Sequence, residues 1–513
     1  TRIGVMDSQK WSSHIVMSLT IYVIIKYLSH GGINALQFAT SGVLLLEGLL
    51  LWLFTCRCLH CSADLHHIGY RPNTSSGVYS ILLVPVALLG NAAYIKDAQE
   101  DDRNIQEIWL SLTSVFSVIV WLKFEAVNRM FFLMISMAFI FVFRWLSVFY
   151  IFTFIIQWKG ITLIPMFLQK TFTLGEVSIL LQLVSIWIHR FFWSFFQNSY
   201  LADNMFQLFW FDSIFVIAIV LATTFVCLSK SYRSPIKFMA TYIVTALLAL
   251  LLLFQIFNED PISWFFNFVF GGCVQIFLMS SWAILFTLTI VWTAFYSLTE
   301  ANNPSSSKIK DIDKFSVRKV FHILILLVYI PGLLMHIQLL LIASVVTFGV
   351  FVILETTRAL QVPVLGNQLH EILKVFVDDR DQGPIFLTHI YLLLGLSLPL
   401  WLSPNLYTSI RGWNEMFSGV LSLGVGDSVA CIFGSKFGQI YYPGSKKTVE
   451  GTLASIFSQI ILVSLASYLG LVQVSSALSV LIGVSLSSLF EAFTDQIDNL
   501  MLPLALYPFL CYS

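Results

Sequence analysis

Apolar runs about as long as a bilayer is thick recur along almost the whole chain, and they constrain the fold more than any other feature. Crossing a hydrocarbon core takes roughly 20 residues of helix. Runs of that order lie at Ser13–Ser29, Leu36–Phe54, Val78–Ile95, Ile108–Leu122, Met130–Trp158, Gly175–Phe196, Leu208–Leu228, Phe238–Phe257 and Trp264–Leu298. Others follow at Val320–Leu334, Gln338–Ile353, Ile385–Leu400, Phe417–Phe433, Leu453–Leu471, Ala477–Leu489 and Leu500–Leu510. In lipid the backbone must satisfy its own hydrogen bonds, which leaves helices or closed barrels. Strand-like alternation is not the dominant pattern, so a barrel is disfavoured. The expected fold is an all-α, polytopic integral membrane protein with about 15 transmembrane helices (range about 13–17).

Composition agrees: 58% of the 513 residues are hydrophobic and only 11% are charged. Lysine plus arginine (28) equals aspartate plus glutamate (28), so the overall balance offers no basic surface for nucleic acid. The seven cysteines make no disulfide framework. Cys56, Cys58 and Cys61, beside His60, His66 and His67, suggest zinc, but the second half of a paired motif is missing, and a membrane-edge cluster is the simpler reading. Arg144 sits within Met130–Trp158 and would be costly in lipid, which argues for a break there. Trp264–Leu298 exceeds one span and is expected to tilt or lie partly in the interface. The charged run Lys96–Arg103 reads as a solvated turn.

The most polar linker, Asn302–Lys319, carries Lys308, Lys310, Lys314, Arg318 and Lys319, which places it in the cytoplasm by the positive-inside rule. It divides the chain into an N-terminal helical region, residues 1–307, and a C-terminal region, residues 308–513. Two spans separate the linker from Glu355–Asp381, two more lead to Asp427–Glu450, and a further two to Glu491–Asp498. By that parity the four polar stretches share the cytoplasmic face.

The densest chemistry lies in Gly424–Thr452, GVGDSVACIFGSKFGQIYYPGSKKTVEGT. Asp427, Ala430, Gly434 and Gly438 are spaced to share one helix face, where small residues admit a ligand or a neighbouring helix. Asp427 ends an apolar run at the membrane edge, and an ionisable residue so placed is a functional candidate. Pro443-Gly444-Ser445 reads as a turn; Lys446, Lys447, Thr448, Glu450 and Gly451 follow. Two ammonium groups suit phosphate oxygens, although lipid headgroups attract lysines too. The glycine spacing is not that of a Walker A loop. Asp498, in EAFTDQIDNLMLP with Glu491, Asp495 and Asn499, is placed to hold Mg2+ jointly with Asp427. Arg318 and His322 are four residues apart, and His322 is a candidate proton acceptor. Asp378–Asp381 forms a dense charged turn, and Glu355 and Arg358 are placed to pair.

The pattern D-x2-A-x3-G-x3-G followed by KKTxEG, at Asp427–Gly451, resembles that of dolichol kinases and the wider CTP-dependent polyprenol and phytol kinase family. RKxFH at Arg318–His322, DDRDxGP at Asp378–Pro384 and the late Asp498-Asn499 are supporting matches, and the resemblance runs from about Arg318 to Pro503. It implies transfer of the CTP γ-phosphoryl group to the terminal hydroxyl of dolichol or another polyprenol, at the endoplasmic reticulum membrane, with the active site facing the cytoplasm. It also implies Mg2+ or another divalent cation on Asp427 and Asp498, with Glu450 beside it. Lys446, Lys447 and Arg318 would stabilise the transferred charge. The Ala430/Gly434/Gly438 face, Gly444, Ser445, Thr448 and Gly451 would seat the nucleotide. His322 or one of the Asp378–Asp381 carboxylates would serve as base. A membrane cytidylyltransferase and an ion-coupled transporter are the alternatives. The first is separated by its product, pyrophosphate rather than CDP. The second predicts acids deep within spans.

Overall fold

The computed structural model describes residues 2–29, 35–57, 68–72, 74–91, 98–123, 147–197, 203–257, 259–302, 323–374, 383–403, 414–443 and 445–513. The cluster from Cys58 to His67, Arg144, Arg318, His322, Asp378–Asp381 and Gly444 lie outside them. The described residues form helices and no strand; Tyr441 and Thr448 make an isolated antiparallel bridge.

The chain divides into two compact units, the first comprising Thr1–Ser199, Gln382–Pro384 and Leu402–Ser513, the second Tyr200–Asp381 and Ile385–Trp401. The first opens with α1 (Arg2–Ser29), α2 (Ala35–Arg57), a 3-10 turn (Val78–Leu82) leading into α3 (Leu83–Asn91), α4 (Ala98–Lys123), α5 (Ser147–Phe167) and α6 (Leu174–Gln197). The second holds α7 (Asp203–Ser229), α8 (Pro235–Ile256), α9 (Pro261–Phe270), α10 (Cys273–Asn302), α11 (Ile323–Met335), α12 (Ile337–Ala359), α13 (Leu365–Lys374) and α14 (Thr388–Leu402). The chain then returns to the first unit with α15 (Ser428–Phe437), α16 (Val449–Tyr468), α17 (Ala477–Phe493) and α18 (Asp498–Cys511).

Among the described residues, eight helical segments are long and apolar enough to cross a membrane, or nine if α9 and α10 count as one bent span, and five shorter apolar helices accompany them. The protein is an all-α polytopic membrane protein. The long run after Trp264 does not tilt as one rod: α9 and α10 meet at 81°. The break falls at Gly271-Gly272, where the helix loses side-chain packing and glycine adds backbone freedom. The charged run Lys96–Arg103 differs from expectation too. From Ala98 onward it forms the first turns of α4. In the second unit Arg358 and Glu355 pair as expected, at 2.5 Å, with the guanidinium 3.7 Å over the Phe386 ring.

The first unit is built around α18. Every residue from Asn499 to Cys511 is buried, because this helix is apolar on all sides and has neighbours on all sides. Leu506 and Leu510 pack with Leu421, Val463, Val480 and Val484. Gly90 and Gly483 allow close approach to Pro508 and Phe509, where a Cβ would collide. At one end Tyr507 donates to Asn91 Oδ1 at 2.6 Å. The other end begins at Asp498, so burial of this helix fixes where that carboxylate enters the unit.

Candidate functional site

Glu415–Phe437 forms one helical segment, but Val420–Asp427 widens into π geometry before α15 resumes. Short π stretches inside helices are uncommon and accumulate at functional sites. The widening falls on Gly424 and Gly426. A Cβ at Gly426 would lie 2.5 Å from Gln459 Nε2 and 3.1 Å from Ser455 Oγ, so α16 presses directly on this backbone. Asp427 therefore does not end the helix at a membrane edge. A further 10 residues, Ser428–Phe437, continue beyond it, and Asp427 sits near the middle of the segment.

The small residues that follow bring α15 against α16. A Cβ on Gly434 would lie 2.8 Å from Thr448 Oγ1, and one on Gly451 2.8 Å from the Ala430 carbonyl oxygen. Gly438 is already extended; its N–H closes the helix by donating to Gly434 O at 3.1 Å. Ala430, Gly434, Gly438, Thr448 and Gly451 thus meet one another across a tight helix contact.

Between the two helices residues 439–449 fold back as a hairpin. Val449 N–H donates to Ile440 O (2.9 Å), Tyr442 N–H to Lys447 O (3.1 Å), and Ser445 N–H to Tyr442 O (3.1 Å) across Pro443. Thr448 caps α16, its hydroxyl accepting from Gly451 N–H at 3.3 Å. Glu450 is engaged with the hairpin, its carboxylate accepting from Ile440 N–H at 3.1 Å. Ser445 Oγ donates to Ala492 O at 2.9 Å, and the Tyr442 ring meets Phe493 edge-on at 4.9 Å. The turn is thereby fastened to the end of α17.

That fastening brings charges together. Lys447 Nζ lies 2.7 Å from Glu491 Oε1, with the lysine side chain 38% exposed and the glutamate 4%. Burial alone would lower the pKa of this ammonium; the negative charges of Glu491, Asp427 and Asp498 outweigh it and hold the pKa above the ordinary lysine value. One fixed cation thus lies in the field of three carboxylates from three separate segments. Lys446, its neighbour, is exposed.

Among the described residues no three His, Cys, Asp or Glu side chains converge closely enough to hold a metal ion by themselves. Mg2+ does not need such a cage. It is commonly bound by one or two carboxylates, nucleotide phosphates and water, and the hard oxygen donors of Asp427 and Asp498 fit that requirement. The structure brings Asp427, Lys447 and Asp498 together, adds Glu491, and leaves Glu450 on the hairpin.

Behind the cluster, the α17–α18 connection is clamped from the start of the chain. Asp495 accepts from the N–H and the hydroxyl of Ser75, each at 2.5 Å. Gln496 donates to Ser75 O (3.1 Å) and accepts from Thr173 Oγ1 (2.6 Å). Thr173 and Glu176 form a capping box at the start of α6: Thr173 N–H donates to Glu176 Oε2 (3.1 Å) and Glu176 N–H to Thr173 Oγ1 (3.3 Å). Arg71 closes the clamp with two bonds to the Glu176 carboxylate, each 3.0 Å, and both side chains are fully buried. Thr173-Leu-Gly-Glu176 is legible in sequence as a capping box; nothing in the sequence pairs it with Arg71.

Fold and cluster together define a multi-pass membrane protein with a lysine–carboxylate site set among apolar helices. The chain belongs to the dolichol kinase family: the family model described as "Dolichol kinase" matches residues 128–394, just over half of it. The match reaches further toward the N-terminus than the sequence motifs do and stops before Asp427, so the cluster itself stands on geometry. The chain is 39% identical to "Dolichol kinase" of Homo sapiens over 300 residues, covering 57% of this chain and 55% of that protein. It is 33% identical to "Dolichol kinase EVAN" of Arabidopsis thaliana over 265 residues (50% and 44%). It is 29% identical to "Dolichol kinase" of Saccharomyces cerevisiae over 251 residues (48% and 44%). The chain spans about half the length of the curated relatives it matches. No solved structure matches it.

Proposed function

We propose that this protein transfers the γ-phosphoryl group of CTP to the terminal hydroxyl of dolichol, releasing CDP and forming dolichyl phosphate. The observation that carries the reading is the Lys447 ammonium, paired with Glu491 in the field of Asp427 and Asp498, on the hairpin that joins two apolar helices. Phosphoryl transfer depends mainly on positioning and on neutralising charge, and that cluster offers both beside a lipid phase. Dolichol as acceptor rests on the family and on the relatives' names; CTP as donor rests on the motif at Asp427–Gly451.

In this reading Lys447, kept charged and oriented by Glu491, contacts the phosphates, and exposed Lys446 adds attraction from the hairpin edge. Asp427 and Asp498, with Glu491 beside them, would hold Mg2+ or another divalent cation, which when bound would neutralise charge on the nucleotide phosphates. We assign Glu450, engaged with Ile440, to positioning the hairpin. The turn at Gly444 and Ser445 would cradle the phosphates, while Ala430, Gly434, Gly438, Thr448 and Gly451 lock the turn to α15. Arg318, as a further cation, and His322, as proton acceptor, are assigned from the motif alone. The nucleotide site belongs to residues 308–513, with residues 1–307 as the helical region that precedes it. The basic linker at Asn302–Lys319 and the cytosolic source of CTP support a cytoplasmic site, and the proposed reaction supports the endoplasmic reticulum membrane.

The test uses purified protein with dolichol, Mg2+ and CTP labelled at the α or the γ phosphorus. The reading expects γ label alone in the lipid and CDP in solution. Lipid carrying α label with pyrophosphate released would assign a cytidylyltransferase instead; no transfer from either position would reject both enzymes.

A further inference from the structure

The buried face of α16 is polar for two turns beyond the cap. Gly451, Thr452, Ser455 and Gln459 are all buried on it. Ser455 Oγ and Ser488 Oγ of α17 lie 3.1 Å apart, and the Gln459 amide donates to both, at 3.1 and 3.2 Å. Ser488 precedes Glu491 by three residues, so both lie on the same side of α17. The Gln459 amide also fills the space a Cβ would take at Gly426, immediately before Asp427. This network and the charged cluster are therefore contiguous.

Hydrogen bonds between serines and glutamine are ordinary glue between membrane helices. They account for the Gln459 amino group. They do not account for its carbonyl: Gln459 is 2% exposed, and among the described residues its Oε1 has no hydrogen-bond partner. Exchanging the amide's oxygen and nitrogen would only move the deficit to the other end of the group. A buried, unpaired amide oxygen costs more than most single contacts contribute, and such groups in folded proteins call for an explanation.

We propose that Gln459 Oε1 is the acceptor for the terminal hydroxyl of the lipid alcohol, making Ser455, Gln459 and Ser488 the acceptor subsite. This rests on the phosphoryl-transfer reading of the neighbouring cluster. Gln459 lies about 15 Å along α16 from Val449, at 1.5 Å per residue, so the subsite is well inside the apolar length of the helix. The alcohol's O–H donates to Gln459 Oε1, which orients the hydroxyl and leaves its oxygen a free lone pair; Asp427 follows Gly426 directly on the facing turn. The Ser455–Ser488 pair fixes the amide plane and hence the direction of the accepting oxygen.

The test compares binding of a polyprenol and of its methyl ether, which keeps the chain and the oxygen but lacks the O–H donor. The full chain in detergent should prefer the alcohol about tenfold, equivalent to about 1.4 kcal/mol. Gln459→Leu should bring that preference close to unity while leaving CTP binding and the unfolding temperature unchanged. Gln459→Glu, which retains a carbonyl acceptor, should restore most of it and guards against a folding defect in the leucine variant. Preference retained in Gln459→Leu, no preference in the parent, or equal loss of alcohol and CTP binding would each overturn the subsite. Parent protein that prefers the alcohol through Gln459 but moves no phosphate from CTP would sink the kinase reading and leave the subsite standing. Transfer together with an indifferent Gln459→Leu would do the reverse.

Discussion

Replacing Arg71 by Met tests how the fold holds its site. The Arg71–Glu176 pair has two 3.0 Å bonds, and Arg71 donates a third to Thr171 O at 2.5 Å. Both side chains are 0% exposed. Removing only the arginine leaves a carboxylate in a water-excluded site with its Thr173 N–H bond as the remaining polar contact named above. Breaking a buried pair from one side costs about 3–5 kcal/mol, because the abandoned charge cannot be rehydrated. Removing both charges avoids that penalty. In Arg71→Met/Glu176→Leu the remaining loss is chiefly the capping bond, about 1 kcal/mol, so the double variant should be more stable than Arg71→Met alone. The assay is SDS-titrated unfolding in mixed micelles, followed by tryptophan fluorescence, for the parent, both single variants and the double. A coupling of at least about 2 kcal/mol is expected. Arg71→Met within about 0.5 kcal/mol of the parent, the range of a surface change, would refute the account. The clamp also continues through Thr173 and Gln496 to the segment before Asp498. Turnover of Arg71→Met should therefore fall several-fold under conditions where the protein remains folded.

Four further outcomes follow from the site. Asp427→Asn should lose about 10²–10³ in turnover, the scale of removing one preorganised electrostatic group, with unfolding unchanged; CDP release measures it, and near-parental turnover would remove Asp427 from the mechanism. Lys447→Met should impair turnover and also destabilise by about 1–2 kcal/mol, less than for a sealed pair because Lys447 is 38% exposed. Lys446→Met should raise the KM for CTP several-fold and leave stability alone, so identical behaviour of the two lysines in both assays would contradict the asymmetry of the hairpin. Gly434→Ala places a Cβ 2.8 Å from Thr448 Oγ1 and should cost about 1–3 kcal/mol by overpacking; an unfolding midpoint equal to the parent's would show that α15 and α16 can separate without penalty.

Much of this molecule is legible in one dimension. The span read at Gly175–Phe196 is α6, Leu174–Gln197, and the run Phe238–Phe257 is α8, Pro235–Ile256. Helix bonds are local and the apolar lengths are set by a hydrocarbon core, so a window of about 20 residues carries the information. Local rules also anticipated the Glu355–Arg358 pair. They failed where a neighbour altered the helix. Asp427 reads as the end of an apolar run, yet the apolar helical segment goes on to Phe437 through a π turn, where Gly426 accommodates Gln459 from another helix.

From sequence alone come the membrane class, most helix positions and the stretch Gly424–Thr452 as the place to look for chemistry. Tertiary structure alone decided the partners. Lys447 finds Glu491 44 residues away, Arg71 finds Glu176 at a separation of 105, and Ser75 holds Asp495 across 420. No periodicity encodes such pairs. Each exists because burying the apolar faces of α15–α18 and their neighbours takes at least one member of the pair wholly or partly out of water, and that group must then find its counter-charge or hydrogen bond within the fold.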